Sequence, residues 1–377
     1  MKTDLAPDYS HILDETIVLW FKKSNRYVLV SEDLYTLINL FLNLESKPSF
    51  INTIKEALGI EDHKCEAIYN EISNFLEDAN TVVTKDTTKV SLLKIPITDI
   101  QKLYRINDKI IKLHFESSLI ESLIHPQIAH HQIENTIHCD IAFDIFKTDD
   151  DLHLFKNKNH VGTYKSKTFH LLQGRFALEL ANAIHNTKIE NWIATFHAST
   201  VTNEKEAIMI IGDSGNGKST LSTLLMASGL DLLADDFTPL YNDLNLYRYP
   251  AAISVKKGAF KVLESHIDNF ETLEVYENGP KKVNLKYVPP VYSSENLKPD
   301  FPCKKIVYVK FNRDQKSELK EVSAEKILET LIPDSWISPN EDHALQFLNW
   351  LKDIRCYELN YSDNDFAISR FNTLFNS

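Results

Sequence analysis

Apolar residues along this chain change their spacing several times, and each change marks a predicted element. Over residues 15–30, ETIVLWFKKSNRYVLV alternates apolar and polar positions about Ser24-Asn25, which predicts a β-hairpin. From Ser31, an N-cap serine, Leu34, Leu37, Ile38, Phe41 and Leu42 recur at helical spacing. SFINTIKEALG, closed by Gly59, and KCEAIYNEISNFLEDAN predict two more helices. A hairpin and three short helices make a small α+β module over 1–90. The polar-then-extended TKDTTKVSLLKIP reads as a linker from this module to the strand-rich segment after it.

From about 95 to 170 the spacing shortens to that of strands. KIIKLHFES, IHCDIAFDIFKT, LHLFKNK and GTYKSK predict an antiparallel meander. FHLLQGRFALELANAIHN is an amphipathic helix, and WIATFHASTVT and EAIMIIG read as two strands. Beyond residue 240 come short strand-like pieces (NLYRYPAAISV), a proline-rich stretch (KYVPPVYSSENLKPDFP) and the strand KIVYVKF. The end alternates the helices SAEKILETLIP, EDHALQFLNWLKDI and DFAISRFNTLF with the strand CYELNY. The chain therefore reads as α/β, with a larger segment at 91–377 built from a β-rich part (95–170) and a core (190–377). No internal repeat or low-complexity tract is visible.

Composition narrows the function. The chain has 377 residues, 43% hydrophobic and 25% charged, as in ordinary globular proteins. A net charge of −12 argues against a general nucleic-acid or anionic-membrane binder, since phosphate backbones and lipid headgroups would repel it. No run of about 18 uncharged apolar residues predicts a membrane span. MKTDLAPDYSHILDE lacks the features of a secretory signal. Cys65, Cys139, Cys303 and Cys356 form no CxxC pair and read as reduced thiols, which together point to a cytoplasmic protein.

Glycine is scarce, nine in the chain, yet Gly212, Gly215 and Gly217 crowd one loop. Gly212-Asp213-Ser214-Gly215-Asn216-Gly217-Lys218-Ser219 fits G-x-x-x-x-G-K-[ST], the Walker A phosphate loop, at every fixed position. Its glycines let backbone N–H groups turn toward phosphate oxygens. Lys218 would bridge the β- and γ-phosphates of ATP, Ser219 would ligate Mg²⁺, and the following helix offers its positive end. A buried-looking strand (EAIMII) precedes the loop and an apolar-striped helix (STLSTLLMAS) follows it.

Asp235 and Asp236 follow only 17 residues after Lys218. A ten-residue helix from Ser219 to Ser228 descends roughly 15 Å at about 1.5 Å per residue. After Gly229, Leu230 to Ala234 climbs back roughly 16 Å as a strand. Descent and climb match, so both acids are expected at the loop's own edge of the sheet, on the neighbouring strand. There one acid would hold Mg²⁺ and the other would accept a proton from an attacking hydroxyl. Alternatively one acid works and its neighbour caps or turns the chain.

GDSGNGKS followed at short range by LLADD resembles the catalytic core of the HPr kinase/phosphorylase family, whose fold is similar to that of ATP-dependent phosphoenolpyruvate carboxykinase. The resemblance covers about 192–260 well and the remainder to the C-terminus more loosely. It implies a P-loop carboxykinase-like core in which 212–219, with Thr220 following, bind ATP. It further implies that Asp236 activates an acceptor serine, that Asp235 lies near the metal with Ser219, and that His197 in FHASTV positions the phosphoryl group or the acids. Read on its own, His197 is a buried strand histidine. Thr220 stands where bifunctional members carry Glu, and AAISVKKGAFK offers Lys256 and Lys257 in place of the downstream signature, so the reverse phosphorylase reaction is not implied. The pattern is closer to related kinases of ribosomal-peptide modification clusters. In keeping with that, the 1–90 module is similar to PqqD-like peptide-binding domains, with a generic winged helix as competitor.

Other constellations carry less. HPQIAHHQIENTIHCD gathers His125, His130, His131, His138 and Cys139 in what reads as a strand and its flanking loop, without finger or zincin spacing. Lys281, Lys282 and Lys286 sit on a loop that either folds over the phosphates or is solvated. Arg248 and Lys256 are weaker candidates of the same kind, and Trp192, Trp336 and Trp350 read as core or interface aromatics. The expectation is ATP- and Mg²⁺-dependent phosphorylation of a serine or similar hydroxyl on a peptide or protein, with neither nucleic acid nor membrane as partner and a homo-oligomer admitted. The alternatives are a nucleotide-gated peptide-binding ATPase and a small-molecule kinase.

Overall fold

The computed structural model of the chain describes residues 2–13, 15–82, 94–97, 100–134, 138–278, 282–292 and 297–377. It is a mixed α/β structure with several separate sheets. Two compact units divide it: Met1–Asp86 with Val322–Ile354, and Thr87–Glu321 with Arg355–Ser377. Of the predicted linker at 84–96, all but 94–96 lies outside the described residues. Among the described residues, no helix is long and apolar enough to cross a membrane.

In the first unit Thr16–Phe21 and Arg26–Ser31 form the predicted hairpin, with Trp20 opposite Tyr27. A strand that the pattern did not reveal, Tyr9–Leu13, pairs on the other side of Thr16–Phe21. Helix Glu32–Asn43 is capped by Ser31, whose hydroxyl accepts from the N–H of Leu34. Helix Lys47–Leu58 ends at Gly59 in the left-handed region, φ 64°, and Asp62–Ala79 comes after it. Leu19, Phe21, Ile38, Phe41, Phe50 and Leu76 close the core beneath them.

Residues 322–354, grouped by pattern with the C-terminal segment, belong to this first unit instead. Glu341, at the start of helix Glu341–Lys352, accepts hydrogen bonds from Tyr9 Oη (2.9 Å) and Lys22 Nζ (2.5 Å). Trp350 is buried and stacks on Phe347, while Trp336 is half-buried. A helix's own periodicity states that it has an apolar face, and says nothing of which core receives it.

The second unit contains a six-stranded sheet in the order Gln132–Ile133, Ile100–Ile106, Lys109–Phe115, Ile141–Thr148, Asp151–Lys156, Asn159–Lys165. Its last three strands form an antiparallel meander, but Lys109–Phe115 and Ile141–Thr148 run parallel. The all-antiparallel expectation is corrected by helix Ser118–Ile128, which carries the chain back between them. Pro126 and the histidines obscured that helix in the sequence. Helix Phe169–Ile184 lays Leu172, Phe176 and Leu180 onto Phe143, Leu152 and Leu154 of the sheet.

The larger sheet of this unit runs Asp231–Ala234, Ser199–Thr202, Ala207–Ile211, Asp300–Phe311. The last of these is long enough to pair at its start with Asn245–Tyr247 and further on, in parallel, with Arg355–Tyr361. Thr238–Tyr241 and Trp192–Phe196 continue the sheet beyond Asn245–Tyr247. WIATFHASTVT is thus two strands that break at His197-Ala198 and find different partners.

Ser199–Thr202 also separates the acid-bearing strand from the loop strand, antiparallel to both, so Asp231–Ala234 is not the immediate neighbour that the crossover geometry predicts. The two strands are nevertheless parallel to each other across it, and the helix Lys218–Ala227 still returns the chain to the same edge. On that helix Leu221 and Leu225 pack on Val201, Ile208, Ile210 and Val307, while Leu224 and Met226 face Leu232, Ile253 and Val255. Leu225 is fully buried. Leu225→Ala is expected to cost about 2–5 kcal/mol, seen as a lower denaturation midpoint of the ligand-free chain; an unchanged midpoint would contradict this packing.

Candidate functional site

Between Ala207–Ile211 and Lys218–Ala227 the glycine-rich loop takes a course that side chains would obstruct. At Gly212 (φ 152°) a Cβ would lie 2.6 Å from the carbonyl oxygen of Val309; at Gly217 (φ 92°) it would lie 2.8 Å from the hydroxyl of Tyr361. Those contacts press the loop against the two strands beside it. The Phe311 N–H donates to the Asn216 carbonyl at 3.1 Å. Tyr308 Oη donates to Asp213 Oδ2 at 2.7 Å, and Asn216 Nδ2 donates to Tyr308 Oη at 3.2 Å. Asp213 and Asn216 therefore brace the loop through their side chains. Lys218 is buried, and its ammonium donates back to the Gly212 carbonyl at 2.5 Å, spanning the turn that would enclose an anion.

Asp235 and Asp236 stand at the end of strand Asp231–Ala234 and have different surroundings. Asp235 is 3% exposed. Its carboxyl accepts hydrogen bonds from the Ser199 hydroxyl, from Ser219 Oγ at 3.3 Å and from the Ser254 N–H at 3.2 Å. Burial raises its pKa well above the usual carboxyl range, and the nearby charge of Asp236 adds to the rise; the three donors partly oppose it. Asp236 sits in the left-handed region, φ 59°, which is costly for a residue with a Cβ and turns its carboxylate the other way, toward solvent. Its Oδ2 accepts from Ser254 Oγ at 3.0 Å, and its Oδ1 lies 3.9 Å from His197 Nδ1.

His197, Ser219, Asp236 and Ser254 line one cleft of about 550 Å³, with Asp235 buried behind Ser219 and Ser254. The loop contributes Asp213, Ser214, Gly215, Gly217, Lys218, Ser219 and Thr220 to its lining. The lining also includes Lys256, and Phe311, Arg313, Tyr361 and Asn364 from around the ends of strands Asp300–Phe311 and Arg355–Tyr361. Phe311 and Tyr361 meet edge to face, centroids 5.3 Å apart. His197 is exposed at the break between its two strands, so its reading as a buried strand histidine is corrected.

The cradle suits a polyphosphate: backbone without side chains, a helix N-terminus and a buried lysine converge on one space. Ser219 Oγ and the Asp235 carboxyl, 3.3 Å apart, are the hard oxygen donors that would hold Mg²⁺, leaving its other positions for phosphate oxygens and water.

Three contributors were not legible as site residues. Ser199 lies two positions after His197, and Ser254 two before Lys256; their signal is proximity to residues already singled out. Arg313 follows the strand Asp300–Phe311 and carries no motif.

Other candidates lie elsewhere. Lys286 is buried and donates to the carbonyls of Phe270 (2.7 Å) and Glu271 (3.1 Å), and Lys282 is exposed outside the cleft lining. Lys281 lies outside the described residues. Arg248 is buried, donating to the Leu232 carbonyl at 2.5 Å. Trp192 is buried and donates to Asn182 Oδ1 at 2.7 Å.

The histidine cluster is dispersed. His125 is on helix Ser118–Ile128, hydrogen-bonded to Tyr104 Oη at 2.9 Å; His131 bonds the Pro250 carbonyl at 3.0 Å, and His138 bonds Asp140 at 2.9 Å. Among the described residues, no three His, Cys, Asp or Glu side chains gather as a metal site. All four cysteines are free.

No family model and no curated protein matches the sequence. Among solved structures, the HPr(Ser) kinase/phosphatase from Coxiella burnetii is a weak neighbour: 13% sequence identity over 48% of this chain and 94% of that chain, with a TM-score of 0.24. A likeness that low carries no weight for activity.

The buried carboxyl has a consequence for stability. Above its ordinary value of 3.8 the unfolded chain releases the Asp235 proton while the folded chain keeps it, so stability falls as pH rises toward the raised folded value. The slope from this group is at most about 1.4 kcal/mol per pH unit. Asp235→Asn keeps the shape without the titration. Its ligand-free stability, compared with wild type by denaturant melts from pH 5 to 7, is expected to gain steadily on wild type as pH rises; parallel profiles would sink the assignment.

Proposed function

We propose that this chain is an ATP- and Mg²⁺-dependent phosphotransferase acting on a hydroxyl, and we take the acceptor to be a serine of a peptide or protein. The observation that carries the reading is the convergence of two kinds of group on one cleft. The phosphate loop presents Lys218 and Ser219, and the acid pair arrives beside them with one carboxyl buried against Ser219 and the other open to the cleft. A nucleotide-hydrolysing loop needs the first set. The second, exposed carboxylate is what transfer to a hydroxyl adds.

In this reading the β- and γ-phosphates lie over the loop, held by its N–H groups and by Lys218, which gives up its bond to the Gly212 carbonyl. The Ser219 hydroxyl and the Asp235 carboxylate, the latter losing its proton to the solvent, would hold Mg²⁺, which when bound would neutralise phosphate charge. Asp236 takes the proton of the acceptor hydroxyl as its oxygen attacks the γ-phosphorus. Ser254 Oγ fixes one Asp236 oxygen, and His197 beside the other orients it. The left-handed backbone at Asp236 is the strain that turns one of two adjacent acids outward.

A peptide acceptor is favoured by the small sheet of the first unit, whose outer strands Tyr9–Leu13 and Arg26–Ser31 are, among the described residues, each paired on one side only. Such edges accept an extended peptide by main-chain addition.

Transfer of labelled γ-phosphate from ATP to serine-containing peptides is the direct test. Asp236→Asn is expected to lower transfer by about 10²–10⁴-fold and to leave ATP binding within a few-fold of wild type. Transfer that survives this substitution would remove Asp236 as base, and phosphate released to water alone would leave an ATPase.

A further inference from the structure

We propose that Lys256 is a second phosphate cation of this cleft, set against the terminal phosphate, and that it supplies from within the chain the charge that an arginine finger supplies elsewhere. The assignment rests on the phosphotransferase reading of the same site and adds a residue with its own role.

Strand Ile253–Lys256 sets the direction of this lysine. Ile253 and Val255 are buried in the core beside Leu224 and Leu232, so by alternation Ser254 and Lys256 share the opposite face. That face looks into the cleft. Ser254 already reaches both acids, its N–H to Asp235 and its hydroxyl to Asp236. Lys256, one strand repeat further on, extends to the loop and donates from Nζ to Ser214 Oγ at 3.1 Å. Two consecutive residues of one strand face therefore serve the acid pair and the phosphate loop in turn.

The charge of Lys256 is unspent. Lys305 is matched by Glu206 at 2.8 Å, and Lys286 by two carbonyls. Lys256 meets a neutral hydroxyl, and among the described residues no carboxylate comes within ion-pair distance of it. In a chain of net charge −12, an exposed ammonium held over a phosphate loop without an acid is the arrangement an anion would complete. Arg313 is another exposed cation of the cleft lining, but it follows the strand Asp300–Phe311, whereas Lys256 belongs to the strand whose Ser254 bonds both acids. Of the two, Lys256 shares its strand with the serine that holds the proposed base, and that assigns it to the reacting end.

In the transfer step the acceptor oxygen bonds to the γ-phosphorus and its proton passes to Asp236. The bond from the γ-phosphorus to the bridging oxygen breaks, and its electron pair stays on the β-phosphate of ADP. Lys256 keeps its protons throughout. It exchanges the Ser214 hydroxyl for γ-phosphate oxygens and donates to them while their charge spreads.

The test compares Mg·ATP and Mg·ADP binding to the full chain by titration calorimetry, because ADP lacks the phosphate that Lys256 is assigned to. Lys256→Ala and Lys256→Gln are each expected to weaken ATP by about tenfold or more while ADP stays within about twofold, and Lys256→Arg to restore most of the ATP preference. Lys257→Ala removes an equal charge one residue away, outside the cleft lining, and should change neither. Ligand-free melting should be unaltered in all four, since both lysines are exposed.

Equal weakening of both nucleotides, or of neither, overturns the assignment. A wild-type chain that binds no nucleotide overturns it together with the phosphotransferase reading. ATP discrimination that depends on Lys256 without phosphate reaching any hydroxyl upholds Lys256 and removes the transfer reading alone.

Discussion

One buried carboxyl ties this site together. Asp235 accepts hydrogen bonds from Ser199 on the intervening strand, from Ser219 at the start of the loop helix and from the Ser254 N–H on a strand of a different sheet. Taking a carboxyl out of water is costly, and three donors offset that cost by replacing the water it loses. Displacing any one segment leaves a buried polar group without its partner, at about 1–3 kcal/mol each. The positions of the loop helix, the acid strand and the cleft wall are coupled through this group, and the same oxygens that couple them are the ones suited to a hard cation.

The second acid is what remains after the first is buried. Consecutive residues at the end of a strand cannot both face inward, and the left-handed backbone of Asp236 sends its carboxylate into the cleft. Adjacent groups of the same chemistry thus acquire different roles from environment alone, one buried and disposed to keep its proton, the other open.

Net charge and local charge point in opposite directions here. The chain as a whole is acidic, yet its cleft collects Lys218, Lys256 and Arg313 around the glycine-rich loop. Screening in physiological salt confines charge effects to about 8 Å, so the acidic exterior does not cancel attraction inside. An anion meets a favourable potential at short range, where the loop and walls contact it, and that favours a ligand shaped to enter over polyanions that bind broad surfaces.

Much of this was legible in the chain. The phosphate loop, the helix after it, the serine and glycine caps of the first unit and the length match that brings the acids back all arise from residues within a turn or two of one another. Local sterics and hydrogen bonds fix them, and those are written in neighbouring residues. Other features were not legible: the strand inserted between loop and acids, the helix Ser118–Ile128 that makes two strands parallel, and the return of 322–354 to the first unit. The burial of Asp235 and the reach of Lys256 to Ser214 belong with them. Each depends on contact between segments tens to hundreds of residues apart, and hydrophobic period carries no address for such a partner. The sequence by itself determined which chemistry was present; the tertiary structure decided which groups share a cleft, because burial and distance are properties of the packed chain.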